Sequence, residues 1–266
     1  MKKIIFALLK GVGAFVPQTV PELIYTSLPK FIKRPVNALL MSFIPEYIKI
    51  GSVEIALNNE DPVVCGALTL GVYEKCESKL IQEKLKPGMT FVDLGANVGL
   101  YTALAASIVG KEGRVYAFEP DTDNFSFLNK TVRKNGFTNT KCLKTAISDH
   151  NGTGRLFFSK ENFGDHRIFG SENERGSTEI ELMTLDHFVE TNSISNVDFI
   201  KMDIQGAEGL AIKGMEVVLK NNPHMQIFAE FWPEGISKTG ESPKDFLKTL
   251  VRHVHGREFA NLYCTR

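Results

Sequence analysis

The sequence has no surplus of either charge: 31 lysines and arginines stand against 31 aspartates and glutamates. Nothing in that balance draws the chain onto a polyanion, so neither nucleic acid nor an anionic membrane is expected as a partner. Cysteine is scarce and scattered, at Cys65, Cys76, Cys142 and Cys264, with no CxxC pair. That spacing argues against a zinc site or a disulfide framework and fits buried thiols in a reducing, cytoplasmic compartment. Long apolar runs are missing as well. The start, MKKIIFALLKGVGAFVPQ, is broken at Lys10, is too short to span a bilayer and has no clean small-residue cleavage site. It is read as a helix docked on its own domain or on a sister subunit of a homo-oligomer. A secretory leader and a surface-lying amphipathic helix are the other readings. Internal repeats and low-complexity stretches are absent too.

What is present is an alternation of short elements. Apolar residues make up 43% of the chain, enough for a buried core. Residues 1–50 form an N-terminal extension or cap, punctuated by Pro17, Pro21, Pro29, Pro35 and Pro45, and residues 51–266 form the main domain. Around that boundary, Tyr47 to Leu57 alternates about Gly51 and predicts a hairpin. A helix is predicted from Tyr73 to Leu85, then a strand FVDL, a helix Leu100 to Val109, a strand RVYAFE, a helix Asp123 to Asn135 and a strand KCLKTAIS. Two β-like runs, GRLFFS and TEIELMTL, interrupt the rhythm around a polar loop from Lys160 to Ser177. A strand DFIKMDI, a helix Glu208 to Lys220, a strand MQIFAEF, a helix Pro243 to His255 and a last run EFANLYC complete the pattern. Alternation of this kind predicts an α/β fold: a Rossmann-like, mostly parallel sheet with helices on both faces.

The organising stretch is TFVDLGANVGLYTALAAS, Thr90 to Ser107, a buried strand that feeds a helix through a glycine turn. Such a turn faces a ligand crevice at the carboxyl edge of a parallel sheet. Glu119, at the tip of the next strand, is placed to accept both hydroxyls of an adenosine ribose. The turn reads Gly95-Ala96-Asn97-Val98-Gly99 and lacks the GxG step of a dinucleotide fingerprint. Asp93 before it would repel a pyrophosphate and suits a cationic ammonium, directly or through water. A cofactor without pyrophosphate, S-adenosylmethionine, fits better than NAD. Ser148 and Asp149, after the third strand, are candidates for the adenine amino group, although SDHNG is also an ordinary turn.

The fourth strand carries Lys201 and Asp203 on one face of an otherwise apolar run. Buried charges are paired or functional. Asp203 is a metal ligand, a substrate ligand or a base, or else a partner of Lys201. Glu208 suits a helix start. Glu230 and Trp232 end the fifth strand and suit a sugar or polyol. His166, in the long loop, is the first candidate for a general base, with Asp203 the alternative. Arg167 beside it is a candidate for a substrate carboxylate or phosphate, and His187 reads as a helix-start residue. No second clear metal ligand accompanies Asp203, so no metal is expected.

The segments FVDLGANVGLYT, AFEP, AISDHNG, TLDHFV, VDFIKMDIQGAE and IFAEFWP together resemble the FkbM family of S-adenosylmethionine-dependent methyltransferases, over roughly residues 70 to 235. KMDIQGAEGLAIKGM is the most specific of them. The resemblance implies a class I methyltransferase fold and methyl transfer to a hydroxyl of a sugar or other small molecule. It implies cofactor contacts at Asp93, Gly95, Asn97, Gly99, Glu119 and Asp149, with Asp203 and Gln205 at the active crevice. The class ends in an antiparallel strand pair, which in this sequence looks short. An NAD-type oxidoreductase and a non-catalytic cofactor-binding protein are the rival readings. The intact acids Asp93, Glu119, Asp203 and Glu230 count against the second.

Overall fold

A computed structural model describes residues 35, 37–38, 41–71, 73–159, 164–170, 174–253 and 263–264. The readings of residues 1–34, of parts of the loop 160–177 and of most of the run EFANLYC lie outside them.

The predicted hairpin is present as β1 (Tyr47–Ile50) and β2 (Val53–Ala56), antiparallel, with Tyr47 opposite Ala56. Gly51 takes φ +58° in its two-residue turn, as such turns require. The expected boundary after residue 50 falls inside this turn. Two helices follow, α1 (Val64–Leu70) and α2 (Lys75–Lys84). Sequence reading missed α1, which is seven residues long and contains Gly66. The Asp61 carboxylate holds its start by accepting the Val63 and Val64 N–H groups at 3.1 Å.

The main sheet contains β3 (Thr90–Leu94), β4 (Arg114–Phe118), β5 (Thr140–Leu143), β9 (Phe199–Met202), β10 (Gln226–Phe231) and β11 (Tyr263–Cys264). Its order is β11-β10-β9-β3-β4-β5 and every pairing is parallel. A second sheet, of order β6-β8-β7, is built from β6 (Ala146–Ile147), β7 (Gly152–Ser159) and β8 (Glu174–Met183). The remaining helices are α3 (Leu100–Val109), α4 (Thr122–Lys134), α5 (Leu185–Thr191), α6 (Glu208–Lys213), α7 (Glu216–Asn221), α8 (Pro233–Lys238) and α9 (Pro243–His253).

Alternation along the central strands sends side chains to two cores. Phe91 and Phe199 pack with the hairpin, α1, α2 and α3. Val92, Leu94, Ile200 and Met202 pack with α5 to α9 on the other face. The sheet is therefore covered on both sides, as the alternation predicts. The chain winds from β3 through β4 to β5 in one direction and from β9 to β10 in the other. The crevice at this reversal, beyond the carboxyl ends of β3 and β9, is where ligands bind in open α/β sheets.

Three predicted elements differ. KCLKTAIS is two strands: β5 stays in the main sheet, while Ala146 and Ile147 pair with Leu182 and Met183 of the second. Glu208 to Lys220 is two helices. Gly214 packs so closely on Ser148 that a β-carbon there would overlap the Ser148 carbonyl. Asp186 starts the second helix by accepting the Val217 and Val218 N–H groups at 3.0 and 2.8 Å. Among the described residues, the last edge of the sheet is a two-residue parallel pairing of Tyr263 and Cys264 with Glu230 and Phe231. The antiparallel pair of the class is not present there.

Candidate active site

The turn after β3 is pinned from within. The Gly95 and Ala96 N–H groups both donate to the Phe118 carbonyl at 3.0 Å, and the Gly99 N–H donates to the Ala96 carbonyl at 2.9 Å. The Asn97 N–H donates to Glu119 Oε2 at 2.8 Å, and the Val98 N–H to Asn97 Oδ1 at 2.7 Å. Every backbone donor from Gly95 to Gly99 is thus already engaged. Asn97 sits at φ +49°, a left-handed conformation that asparagine tolerates. The two glycines answer to packing: a β-carbon on Gly95 would overlap the Asp203 carbonyl, and one on Gly99 would lie 2.8 Å from Leu128.

Asp93 lies behind this turn, fully buried on the α3 side of the sheet. Thr102 Oγ1 donates to its Oδ2 at 2.6 Å, and Lys201 Nζ stands 3.6 Å from its Oδ1. The structure therefore does not bring the Asp93 side chain into the crevice, where the sequence placed it against a cation. Its carboxylate is instead spent within the protein, on Thr102 and on Lys201, its register partner on β9. Lys201 reaches the same point from β9, donates to the Gly95 carbonyl at 2.9 Å, and lies 3.9 Å from Asp203. Burial favours the neutral amine, but Asp93, Asp203, Glu74 and Glu119 outweigh it and hold the Lys201 pKa above its ordinary value.

In front of the turn is a cleft. Gly95, Asn97 and Glu119 line it from β3 and β4, and Lys201, Asp203 and Gln205 from β9. Phe118, Ile147 and Leu156 give it an apolar wall, and His166 and Ile168 reach it from the loop between β7 and β8. Glu119 is 6% exposed, and its Oε1 accepts the Asp121 N–H at 2.9 Å. Burial pushes its pKa up to about 7. Burial does the same to Glu208, also about 7, whose Oε1 accepts the Ile204 N–H at 3.0 Å.

Asp203, Gln205 and Glu230 form one unit. Gln205, at φ +53°, donates its side-chain amide to Asp203 Oδ1 at 2.7 Å and to Glu230 Oε2 at 2.9 Å. The Ser159 N–H donates to His166 Nδ1 at 3.2 Å. A neutral imidazole that accepts at Nδ1 carries its proton on Nε2 and is a donor there.

Arg167 is already engaged. Its Nε and Nη2 donate to the two oxygens of Asp165 at 2.8 and 2.7 Å, and its guanidinium lies 4.5 Å from the centre of the Trp232 ring. The opposite side of Trp232 packs on Gly235 so closely that a β-carbon there would overlap the ring. These two residues clamp the loop over the cleft, and neither is among its lining residues. Ser148 and Asp149 also lie away from that lining. Asp149 is held by the His150 ring at 2.7 Å, and the break after β5 presents Thr145, Ala146 and Ile147 to the cleft instead.

Sequence reading missed Tyr73, Glu74 and Tyr101. Tyr73 and Tyr101 line the cleft, and Tyr101 donates to Glu74 Oε2 at 2.5 Å. Burial first, and Asp203 second, push the Glu74 pKa up to about 7. The one sequence signal was the need of Lys201 for further counter-charges. Among the described residues, no group of three or more His, Cys, Asp or Glu side chains is arranged to hold a metal ion, and no helix is long and apolar enough to cross a membrane.

A family model described as the methyltransferase FkbM domain matches residues 93–258. The hexuronic acid methyltransferase AglP of Haloferax volcanii is 26% identical over 165 residues, covering 60% of this chain. The chain spans 64% of the length of that curated relative. Among solved structures, a SAM-dependent methyltransferase from Aquifex aeolicus is 20% identical, with 68% of this chain and 79% of that one covered and a TM-score of 0.39. A precorrin-6y C5,15-methyltransferase from Geobacter metallireducens is 11% identical, with 68% and 73% covered and a TM-score of 0.41. The fold assignment rests on the strand order and not on these scores.

Proposed function

The chain belongs to the FkbM methyltransferase family, and on that premise we propose that it transfers a methyl group from S-adenosylmethionine to a hydroxyl oxygen of a sugar or another small molecule. The observation that carries the choice of cofactor is the engaged turn. The five N–H groups from Gly95 to Gly99 all have acceptors within the protein. None is left to cradle a pyrophosphate, which is how a dinucleotide would be held. Glu119 and Asp203 both face the cleft, and carboxylates suit a cationic ligand.

Glu119 would hold the ribose hydroxyls through the lone pairs that its two backbone bonds leave open. Phe118, Ile147 and Leu156 would hold the adenine. When bound, S-adenosylmethionine supplies a methyl group activated by its sulfonium. The protein's own task is then to orient the acceptor and take up its proton. Asp203 is the residue we assign to the proton. Its Oδ1 is fixed by Gln205, and the carboxylate faces the cleft. His166, as an Nε2 donor, would orient an acceptor oxygen. The loop 164–170, clamped by Arg167 on Trp232, keeps water from the reacting atoms.

A sugar acceptor is supported by the name of the Haloferax volcanii relative. Arg167 would receive a substrate carboxylate only by giving up Asp165. The test is calorimetric titration of wild-type protein and Glu119→Ala with S-adenosylmethionine, S-adenosylhomocysteine and NAD. The first two should bind, and more weakly to the variant. Binding of NAD, or of none of the three, overturns the proposal.

A further inference from the structure

The cofactor proposed above has a cationic ammonium at its amino-acid end, and Asp93, nominated for it by sequence, is sealed behind the turn with its carboxylate held by Thr102 and Lys201. Another carboxylate stands at the other side of Lys201. Glu74 takes an unusual left-handed conformation, φ +37°, just before α2, and its side chain turns inward. Tyr101 Oη donates to it at 2.5 Å, and the Tyr73 hydroxyl makes a second hydrogen bond to the same carboxylate. Tyr101 is the second residue of α3, directly after the glycine turn, and both tyrosines line the cleft, with Glu74 reached through their hydroxyls.

Two phenols that give their protons to one carboxylate have only lone pairs left for the cleft. Hydrogen-bonded chains of this kind make the outer oxygens better acceptors. Val64 and Leu68 also line the cleft, and apolar neighbours strengthen a charged contact. Lys201 does not cancel the negative field: it is held by the Gly95 carbonyl and shared with Asp93 and Asp203. The two tyrosines therefore offer acceptor oxygens backed by the Glu74 carboxyl group, and the Lys201 ammonium nearby is already engaged.

We propose that the hydroxyl oxygens of Tyr73 and Tyr101, which line the cleft, receive the ammonium of the cofactor's amino-acid end, and that Glu74 acts through them by accepting their protons. The proposal rests on the S-adenosylmethionine reading and assigns residues that neither the sequence motifs nor the turn provide. It makes Glu74 a determinant of affinity for ligands that carry the amino acid, and of no consequence for ligands that lack it.

The experiment is a comparison of two ligands. S-adenosylhomocysteine carries the amino acid, and 5′-methylthioadenosine keeps the adenosine and the sulfur without it. Both are titrated calorimetrically into wild-type protein and into Glu74→Gln, which preserves shape and removes charge. The variant should bind S-adenosylhomocysteine about 10- to 100-fold more weakly, the value of one hydrogen bond to a charged group. Its affinity for methylthioadenosine should not change. Equal losses for both ligands would make Glu74 a structural tie between α2 and α3, and no loss for either would remove it from the site. Each result overturns the proposal. If Glu74→Gln does not fold, Tyr101→Phe replaces it, with the same selective loss expected and the same equal loss fatal. Wild-type protein that binds both ligands equally well overturns this inference alone. Wild-type protein that binds neither brings down the cofactor reading itself.

Discussion

The ammonium of Lys201 donates to the carbonyl oxygen of Gly95 at 2.9 Å, so the strand that leads into Asp203 also holds the turn that follows Asp93. The same ammonium is 3.6 Å from Asp93, with both side chains buried. Removing one partner of a buried pair leaves the other uncompensated, whereas removing both does not. Lys201→Met is expected to cost about 3–5 kcal/mol of stability. The double variant Asp93→Asn with Lys201→Met should lose clearly less than the two single losses combined. Urea denaturation of the four proteins measures this. Simple additivity would mean that the two side chains do not act as a pair.

His166 and Asp203 should separate in a pH–rate profile. Loss of a general base lowers turnover by about 10²–10⁴-fold, so Asp203→Asn should fall in that range while still binding S-adenosylhomocysteine. His166→Ala should fall less and keep the rise of rate with pH, because the proposal gives His166 the orientation of the acceptor and Asp203 its proton. If that rise disappears in His166→Ala, the base is the imidazole and the role given to Asp203 is wrong.

Three buried glutamates give the free protein a pH dependence of definite sign. Burial raises Glu74, Glu119 and Glu208 from the ordinary 4.5 to about 7. Each binds its proton more tightly in the folded than in the unfolded chain. The stability they contribute is complete below about pH 4.5 and is lost as pH rises through about 7. The thermal midpoint should therefore fall between pH 6 and pH 8, and Glu208→Gln should remove part of the fall. S-adenosylhomocysteine should stabilise more strongly at the upper end, where an ionised Glu119 accepts both ribose hydroxyls. A midpoint that stays level or climbs over this interval, followed by scanning calorimetry, contradicts the assignment.

The parts of the molecule that sequence could show are the local ones. The helix after the glycine turn runs from Leu100 to Val109 as its apolar pattern predicts. Glu119 reaches the cleft because one strand and one turn are enough to place it. Apart from the short helix α1, the failures are non-local. The long helix after Gly206 breaks because Gly214 meets the backbone of Ser148, from a strand far earlier in the chain. Asp149 misses the cleft because Lys144 and Thr145 hand the chain from one sheet to another, which an unbroken β-like run does not announce. Trp232 and Arg167 have the composition of a sugar site, but they face each other. Glu74 is one acid at a helix start among several, and only its partner Tyr101, 27 residues later, distinguishes it.

The hairpin of β7 and β8 stands outside the parallel sheet, in the sheet of order β6-β8-β7, and Gly152 faces Leu182 at its base. His166 and Ile168, which line the cleft, lie between those two residues in the chain. Of the groups proposed to hold the methyl donor, Phe118 and Glu119 belong to the parallel framework, whereas Leu156 lies on the hairpin itself and Ile147 on the strand that joins it. Donor recognition and acceptor recognition thus share this hairpin. Exchanging it is expected to disturb both together.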